Sequence, residues 1–396
     1  MPTALDVVVV GGCGHVGLPL SLAFARAGQT VAAYDTNPTA CSLVNAGEMP
    51  FLEPEAPEVL AKVLADGTFI ATTDASVVAR ARTVIVVVGT PVDEHLNPDP
   101  NAVTDAVSEL AEHLLDGQLL VLRSTIYPGL TRLIDQLLRN SGKKIDVAFC
   151  PERIAEGKAF TELYELPQVV SGCSDSAVAR ATELFSALTE SIVVVTPEEA
   201  ELVKLFTNTW RYIKFAAANQ FYTIANDFNL DFERIRHAIR FDYPRAADMP
   251  AAGFAAGPCL FKDTMQLAAF NNNNFTLGHA SMMVNEGLPL YVVSRIERKF
   301  DLSSMTVGIL GMAFKAESDD PRSSLSYKLR RILRFKAKEV LCTDPYVKSP
   351  DLSPIEELIE RCDLLIVGTP HATYKDLQSS CPVVDIWNVL GRGVTI

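Results

Sequence analysis

A run of valines that breaks into glycines constrains the fold of this chain most. "DVVVVGGCGHVG", Asp6 to Gly17, reads as a short buried strand followed by a tight turn. "LPLSLAFARAG" then has helical periodicity and ends at Gly28, a fitting C-terminal cap. "TVAAYD" returns to strand and stops at Asp35. Strand, turn, helix and strand make a βαβ unit, and parallel strands so joined need cover on both faces.

The same alternation continues. "TVIVVVGTP", "LLVLRST", "DVAFCPE" and "SIVVVTP" read as further strands of a doubly wound parallel sheet. From Glu198 to Asp227 no Gly or Pro interrupts a helical pattern, which predicts one long helix joining two domains. Helical segments run on to about residue 298. The last region echoes the first: "EVLCTDPYV" resembles "VAAYDTNP", and "LLIVGTPHAT" resembles "VIVVVGTPVD". The expected architecture is α/β, with two Rossmann-like domains flanking a helical middle. The boundaries fall at 1–197, 198–298 and 299–396, and a chain of 396 residues fits such a division.

Gly12-Cys13-Gly14-His15-Val16-Gly17 follows a strand, opens a helix and has Asp35 ending the next strand. That context makes GxGxxG a dinucleotide fingerprint and not merely a tight turn. The glycines let the backbone approach a pyrophosphate, and the helix N-terminus favours an anion. Asp35 would accept from a ribose 2′-OH and repel a 2′-phosphate, so NAD is expected over NADP. "GILGMAFK" has Gly308 and Gly311 but no GxGxxG, so a second dinucleotide is not expected there, whereas Lys315 would suit a phosphate.

Formal net charge is −13, which argues against nucleic acid as a partner but not against a small anion. No apolar run is long enough to span a membrane, and the first residues lack a basic leader. Eight cysteines without CxxC spacing read as reduced thiols of a cytoplasmic protein, and no metal is implied.

One cysteine has distinctive company. "GPCLFKD", Gly257 to Asp263, puts Cys259 just before Lys262 and Asp263. It belongs to an ordered series: "NAGEMPFLEP" (45–54), "VGTPVDE" (88–94), "RSTIYPG" (123–129), "CPERIAEG" (150–157), "AELVKLFTNT" (200–209), "GPCLFKD", "GMAFKAESDDPRSS" (311–324) and "DPYV" (344–347). Over essentially its whole length the chain resembles the nucleotide-sugar 6-dehydrogenases, the family of UDP-glucose, GDP-mannose and UDP-N-acetylmannosamine dehydrogenases.

That resemblance implies an enzyme of polysaccharide biosynthesis that oxidises a sugar CH₂OH to a carboxylate, reducing two NAD in turn. The second oxidation needs a nucleophile that turns an aldehyde carbon into a hydride donor. A thiolate does so by forming a thiohemiacetal that becomes a thioester, and Cys259 is the candidate. By resemblance, Lys204 and Asn208, one helical turn apart, hold the developing oxyanion, and Asp263 assists thioester hydrolysis. Thr125 and Glu156 join them in ordering water and in contacts to the cofactor, with Thr90, Pro91 and Arg322 also placed near NAD. Glu152, Arg153, Glu156, Arg245, Gly257, Lys262, Phe314 and Lys315, with Lys204 and Asn208, would line the nucleotide-sugar site. Arg240 competes with Arg245, which relatives place across a homodimer interface.

Three departures stand out. Arg123 replaces the acidic residue common before the Ser-Thr pair, Ala256 stands where a glycine is usual, and "DIWN" (385–388) lacks an expected arginine. Two other readings remain: a single-step NAD-dependent hydroxy-acid dehydrogenase, and a non-catalytic cofactor-binding protein.

Overall fold

The computed structural model describes residues 4–90, 99 and 101–396. The chain divides into two compact units, Met1–Phe206 and Thr207–Ile396.

The first unit is built on eight strands: β1 (Leu5–Val10), β2 (Val31–Tyr34), β3 (Phe69–Thr72), β4 (Ala81–Val86), β5 (Leu119–Leu122), β6 (Asp146–Phe149), β7 (Gln168–Gly172) and β8 (Ile192–Val194). Their order is β3-β2-β1-β4-β5-β6-β7-β8, parallel throughout except between β6 and β7. The valine run of β1 is explained by burial on both faces. Val7 and Val9 enter one core and Val8 and Val10 the other. The helix Gly17–Arg26 packs Leu18, Leu20, Leu22 and Phe24 into the first of these cores. It ends as expected: Gly28 takes φ +90°, and Gln29 N donates back to Phe24 O at 3.1 Å. The strand order reverses between β1 and β4, the place where doubly wound sheets open a crevice at their carboxyl ends.

The long helix runs Pro197–Asp227 over 31 residues, as the uninterrupted pattern predicts. The second unit adds helices Phe232–Arg240, Leu260–Phe270 and Thr276–Ile296, then a parallel sheet of β9 (Thr306–Leu310), β10 (Glu339–Thr343), β11 (Leu364–Val367) and β12 (Val383–Val384). Its order, β10-β9-β11-β12, repeats β2-β1-β4-β5 of the first unit.

The internal echo extends to single hydrogen bonds. Gly11 has φ +74° and donates to Tyr34 O at 2.9 Å; Gly311 has φ +94° and donates to Thr343 O at 2.9 Å. Asp35, after β2, accepts Cys13 N at 3.0 Å, and Asp344, after β10, accepts Met312 N at 2.6 Å. The two carboxylates then diverge. Asp344 also takes the N–H groups of Ala313, Tyr346 and Val347, together with His371 Nε2 at 3.1 Å. His371 Nδ1 accepts from Glu317 N, so its Nε2 carries the proton that it gives to Asp344. Burial pushes the Asp344 carboxyl up, but His371 and the backbone donors outweigh it and hold it at about 2. A carboxylate so saturated has no capacity for a ribose, in keeping with the missing GxGxxG on this side.

Candidate active site

The glycine loop of the first unit fits a dinucleotide. A Cβ on Gly12 would lie 2.6 Å from Val9 O and 2.7 Å from Ala33 Cα, and one on Gly17 would lie 2.1 Å from Gly11 O. Those two glycines are demanded by the turn itself. A Cβ on Gly14 would meet only Gly11 O, at 3.5 Å, so the protein does not forbid a side chain there. The bare backbone at Gly14 is what a pyrophosphate approaching the helix N-terminus requires. Asp35 shapes the turn as well, through Cys13 N and through Asn37 N at 3.0 Å. His15 stacks on Phe51 with ring centroids 4.2 Å apart, a packing role. Thr90, after β4, is buried, and Pro91 lies outside the described residues.

Two loops at the carboxyl ends of β5 and β6 carry Thr125, Glu152, Arg153 and Glu156. Buried carboxylates from elsewhere hold both. Glu201 of the long helix accepts from Gly129 N at 2.6 Å and from Thr131 N at 2.9 Å and Oγ1 at 2.5 Å. It thereby caps the helix Leu130–Asn140 that follows the Thr125 loop. Glu53 accepts from Gly157 N at 2.8 Å and Ala159 N at 2.9 Å, pinning the loop that bears Glu156. Lys204, one turn beyond Glu201, donates from Nζ to the main-chain oxygen of Glu152. The Glu152 carboxylate is buried against Arg123, and the Arg153 guanidinium donates to Pro167 O.

In the second unit the segment around Cys259 is fixed from three sides. Asn219 of the long helix clamps Gly253, donating to its oxygen at 3.0 Å and accepting its N–H at 2.9 Å. Gly253 takes φ +152°, and a Cβ there would fall 2.1 Å from the Trp387 ring. Trp387 thus occupies "DIWN", where an arginine was expected. Gly257, at φ +105°, is covered by the Phe314 ring, 2.6 Å from where a Cβ would stand. Cys259 then stands immediately before the helix Leu260–Phe270, at its N-cap position and without a side-chain capping bond.

None of the eight cysteines is in a disulfide, and Cys259 is the one that is exposed. It stands at the N-terminal end of that helix, where the partial positive charge of the helix dipole favours a thiolate. One turn on, Asp263 is wholly buried. Its Oδ2 accepts from Asn208 Nδ2 at 2.6 Å, and Lys262 Nζ lies 3.4 Å from Oδ1, an ion pair without hydrogen-bond geometry. The second unit therefore assembles Asn208, Cys259, Lys262 and Asp263, and the first assembles Glu152 and Lys204.

The remaining sequence candidates sit on loops of the second unit. Lys315 Nζ lies 5.6 Å over the Phe314 ring. Arg322 is engaged by Asp320, with Nε 2.9 Å from both carboxylate oxygens. Arg245 is exposed in the turn Pro244–Ala246. Sequence reasoning missed Glu53, Glu201 and Asn219. Glu53 and Glu201 sit beside other charged residues and look solvated, and only Asn219, in "FAAANQF", is a polar residue in an apolar setting.

The UDP-glucose/GDP-mannose dehydrogenase family matches in three parts: its NAD binding domain over residues 6–189, its central domain over 198–286 and its UDP binding domain over 308–392. A UDP-N-acetyl-D-mannosamine dehydrogenase of Pyrococcus horikoshii is 29% identical over 98% of this chain and 93% of that protein. One from Yersinia pestis is 27% identical over 99% of both. Among solved structures, a UDP-D-ManNAc dehydrogenase from Pyrococcus horikoshii superposes with a TM-score of 0.92 at 27% identity, covering 98% of this chain and 97% of that one. A UDP-glucose dehydrogenase from Pyrobaculum islandicum gives 0.88 at 27% identity, covering 96% and 94%.

Proposed function

We propose that this chain, which belongs to the UDP-glucose/GDP-mannose dehydrogenase family, oxidises C6 of a UDP-N-acetylhexosamine to the uronic acid through a thioester on Cys259. UDP-N-acetyl-D-mannosamine is the first substrate to test, because curated relatives matched along the whole chain carry that name. The observation that carries the reading is one exposed thiol at a helix N-terminus with a buried carboxylate one turn behind it.

NAD, when bound, supplies the hydride acceptor for both oxidations. The chain's own residues do the rest. Cys259 Sγ adds to the aldehyde carbon made in the first oxidation, and the carbonyl oxygen becomes an oxyanion. The ammonium of Lys204 and an amide N–H of Asn208 hold that charge; Asn208 has two such hydrogens, and Asp263 uses one. Loss of the second hydride leaves an acyl group on sulfur. Asp263 takes a proton from water as it attacks the thioester, the C–S bond breaks, and the thiolate is restored. Thr125 and Glu156 order the reacting water, and Lys315 and Arg245 meet the diphosphate end and the sugar. The helical region 198–298 carries the thiol, between a cofactor region at 1–197 and a nucleotide region at 299–396.

The stoichiometry is decisive. With UDP-N-acetyl-D-mannosamine, and with a panel of other UDP- and GDP-sugars as controls, two NADH should appear per sugar consumed. One NADH would reduce the protein to a simple alcohol dehydrogenase, and none with any sugar would end the proposal.

The working form is a homodimer. Trp210, Phe221 and Ile224 recur at helical spacing along the long helix, Phe228 follows its last residue, and each is about half exposed or more. Phe241 and Tyr243, also exposed, shortly precede Arg245 in the chain. An apolar stripe of that extent calls for a partner surface. Sedimentation showing a fully active monomer at assay concentration would exclude the dimer.

A further inference from the structure

The residue before Ser124-Thr125 carries a charge that lies inside the protein. Arg123 follows β5 and is 2% exposed. Its guanidinium rests over the Phe185 ring at 4.8 Å. Nε donates to Glu152 Oε2 at 3.1 Å, and one terminal nitrogen donates to the same oxygen. The other terminal nitrogen reaches Cys150 O at 3.1 Å and Gln168 Oε1 at 3.0 Å. Arg123 thus ties together the ends of β5 and β6 and the start of β7, where the sheet changes direction.

Glu152 is equally committed. Its second oxygen, Oε1, accepts Arg153 N at 2.7 Å and Ile154 N at 2.9 Å. A carboxylate has about four acceptor positions, and here two donors fall on each oxygen. Burial pushes the Glu152 carboxyl up, yet Arg123, the Ile154 N–H and Lys204 together hold it below its usual range. A general base must present a free lone pair to the proton it removes. This carboxylate has none to present. Its main chain does have a use, because Glu152 O receives Lys204 Nζ.

We infer that Arg123 is a positioning residue: by saturating the Glu152 carboxylate it withdraws that group from proton transfer and makes Glu152 the bracket on which Lys204 is set. The inference rests on the reading of Lys204 given above. It leaves Glu156 and Asp263 as the carboxylates that handle protons.

A charged pair of this kind is sensitive to losing one member and tolerant of losing both. Arg123→Met alone strands a buried carboxylate, and Glu152→Gln alone strands a buried guanidinium. Each should lower the thermal midpoint and cut kcat by about a hundredfold through a displaced Lys204, with KM for NAD unchanged. The double variant Arg123→Met/Glu152→Gln keeps the Glu152 carbonyl and carries no unpaired charge. It should recover most of the midpoint and return kcat to within about tenfold of native. A double variant that folds with a native midpoint yet loses kcat by about a thousandfold would overturn the inference, since that is the scale of a missing general base.

A second measurement does not depend on the double variant. Arg123→Lys keeps the charge but not the fork, so the Glu152 carboxyl rises. The charged groups around that carboxyl are Arg123, Lys204, Arg153 and Glu162, and none of the other three is altered. If Glu152 is a bracket, kcat falls evenly and the acid limb of the pH profile stays where it is. An acid limb that moves to higher pH would make Glu152 a proton carrier and sink the proposal. The native protein run in parallel keeps the two readings apart. If no nucleotide sugar yields NADH, the proposed reaction fails by itself, and the thermal midpoints still decide the pair: additive losses would dissolve it, whereas recovery in the double variant supports it.

Discussion

Cys259→Ala is expected to stop acid formation while leaving the fold intact. The side chain is exposed, so its loss opens no cavity in the core. The first oxidation needs only a base and a hydride acceptor, and slow production of aldehyde should persist. On the proposed mechanism the second oxidation loses its nucleophile, because an aldehyde carbon gives up hydride only after a nucleophile has added to it, and only slow oxidation of the aldehyde hydrate is left. No other thiol can substitute. Cys13, Cys41, Cys150, Cys342 and Cys362 are buried, Cys173 is half-buried with burial pushing its thiol up to about 11, and Cys381 is half-buried against Ser379. Uronic acid formation should fall by about four powers of ten or more, each equal to about 1.4 kcal/mol of barrier. A carbonyl trap such as semicarbazide should capture one aldehyde per NADH in the variant and very little in the native enzyme. A variant that still makes uronic acid with two NADH per sugar would show that Cys259 is not the nucleophile.

What the sequence disclosed about this site, and what it withheld, divides by range. The strand, glycine turn and helix at the N-terminus are local: the valines need two-sided burial, and Gly12 and Gly17 sit where no Cβ fits. The long helix was legible because nothing in it breaks the period. The internal repeat was legible because Asp35 and Asp344 end equivalent strands. The carboxylates that hold the loops were not legible. Glu201, in "EEAELVK", looks like part of a solvated face, but it is fully buried on donors 70 residues and more away in sequence. Glu53 reaches partners 104 and 106 residues on. The sealing of Asp344 depends on His371 from a different strand end, and nothing near "DPYV" announces it. Arg123 was visible in the sequence as a charge at a strand end, but its partner appears only when Glu152 is found beneath it. Periodicity reports which face a residue occupies; it does not report which distant donor makes a buried charge tolerable.

Asp263→Asn should divide the reaction at a different point. Asp263 is wholly buried, and Asn208 holds its Oδ2. Its Oδ1 accepts no hydrogen bond among the described residues, although Lys262 Nζ stands 3.4 Å away. On the proposed mechanism that open acceptor position is the one that takes a proton from the attacking water. Asparagine keeps the size and can still accept from Asn208, so the helix should fold as before. It cannot take that proton. Both oxidations precede hydrolysis, so mixing the variant with NAD and nucleotide sugar should give a burst of two NADH per subunit, followed by a stall. Steady-state turnover should be lower by about 10²–10⁴-fold, the usual contribution of a positioned base. During the stall Cys259 should carry the substrate as an acyl group, and the intact protein should gain the mass of the nucleotide sugar less four hydrogens. Hydroxylamine, which cleaves thioesters, should remove that mass and restart one further burst. A folded Asp263→Asn variant that stalls with no burst and no added mass would place Asp263 before the thioester, and the division of labour between Cys259 and Asp263 would have to be redrawn.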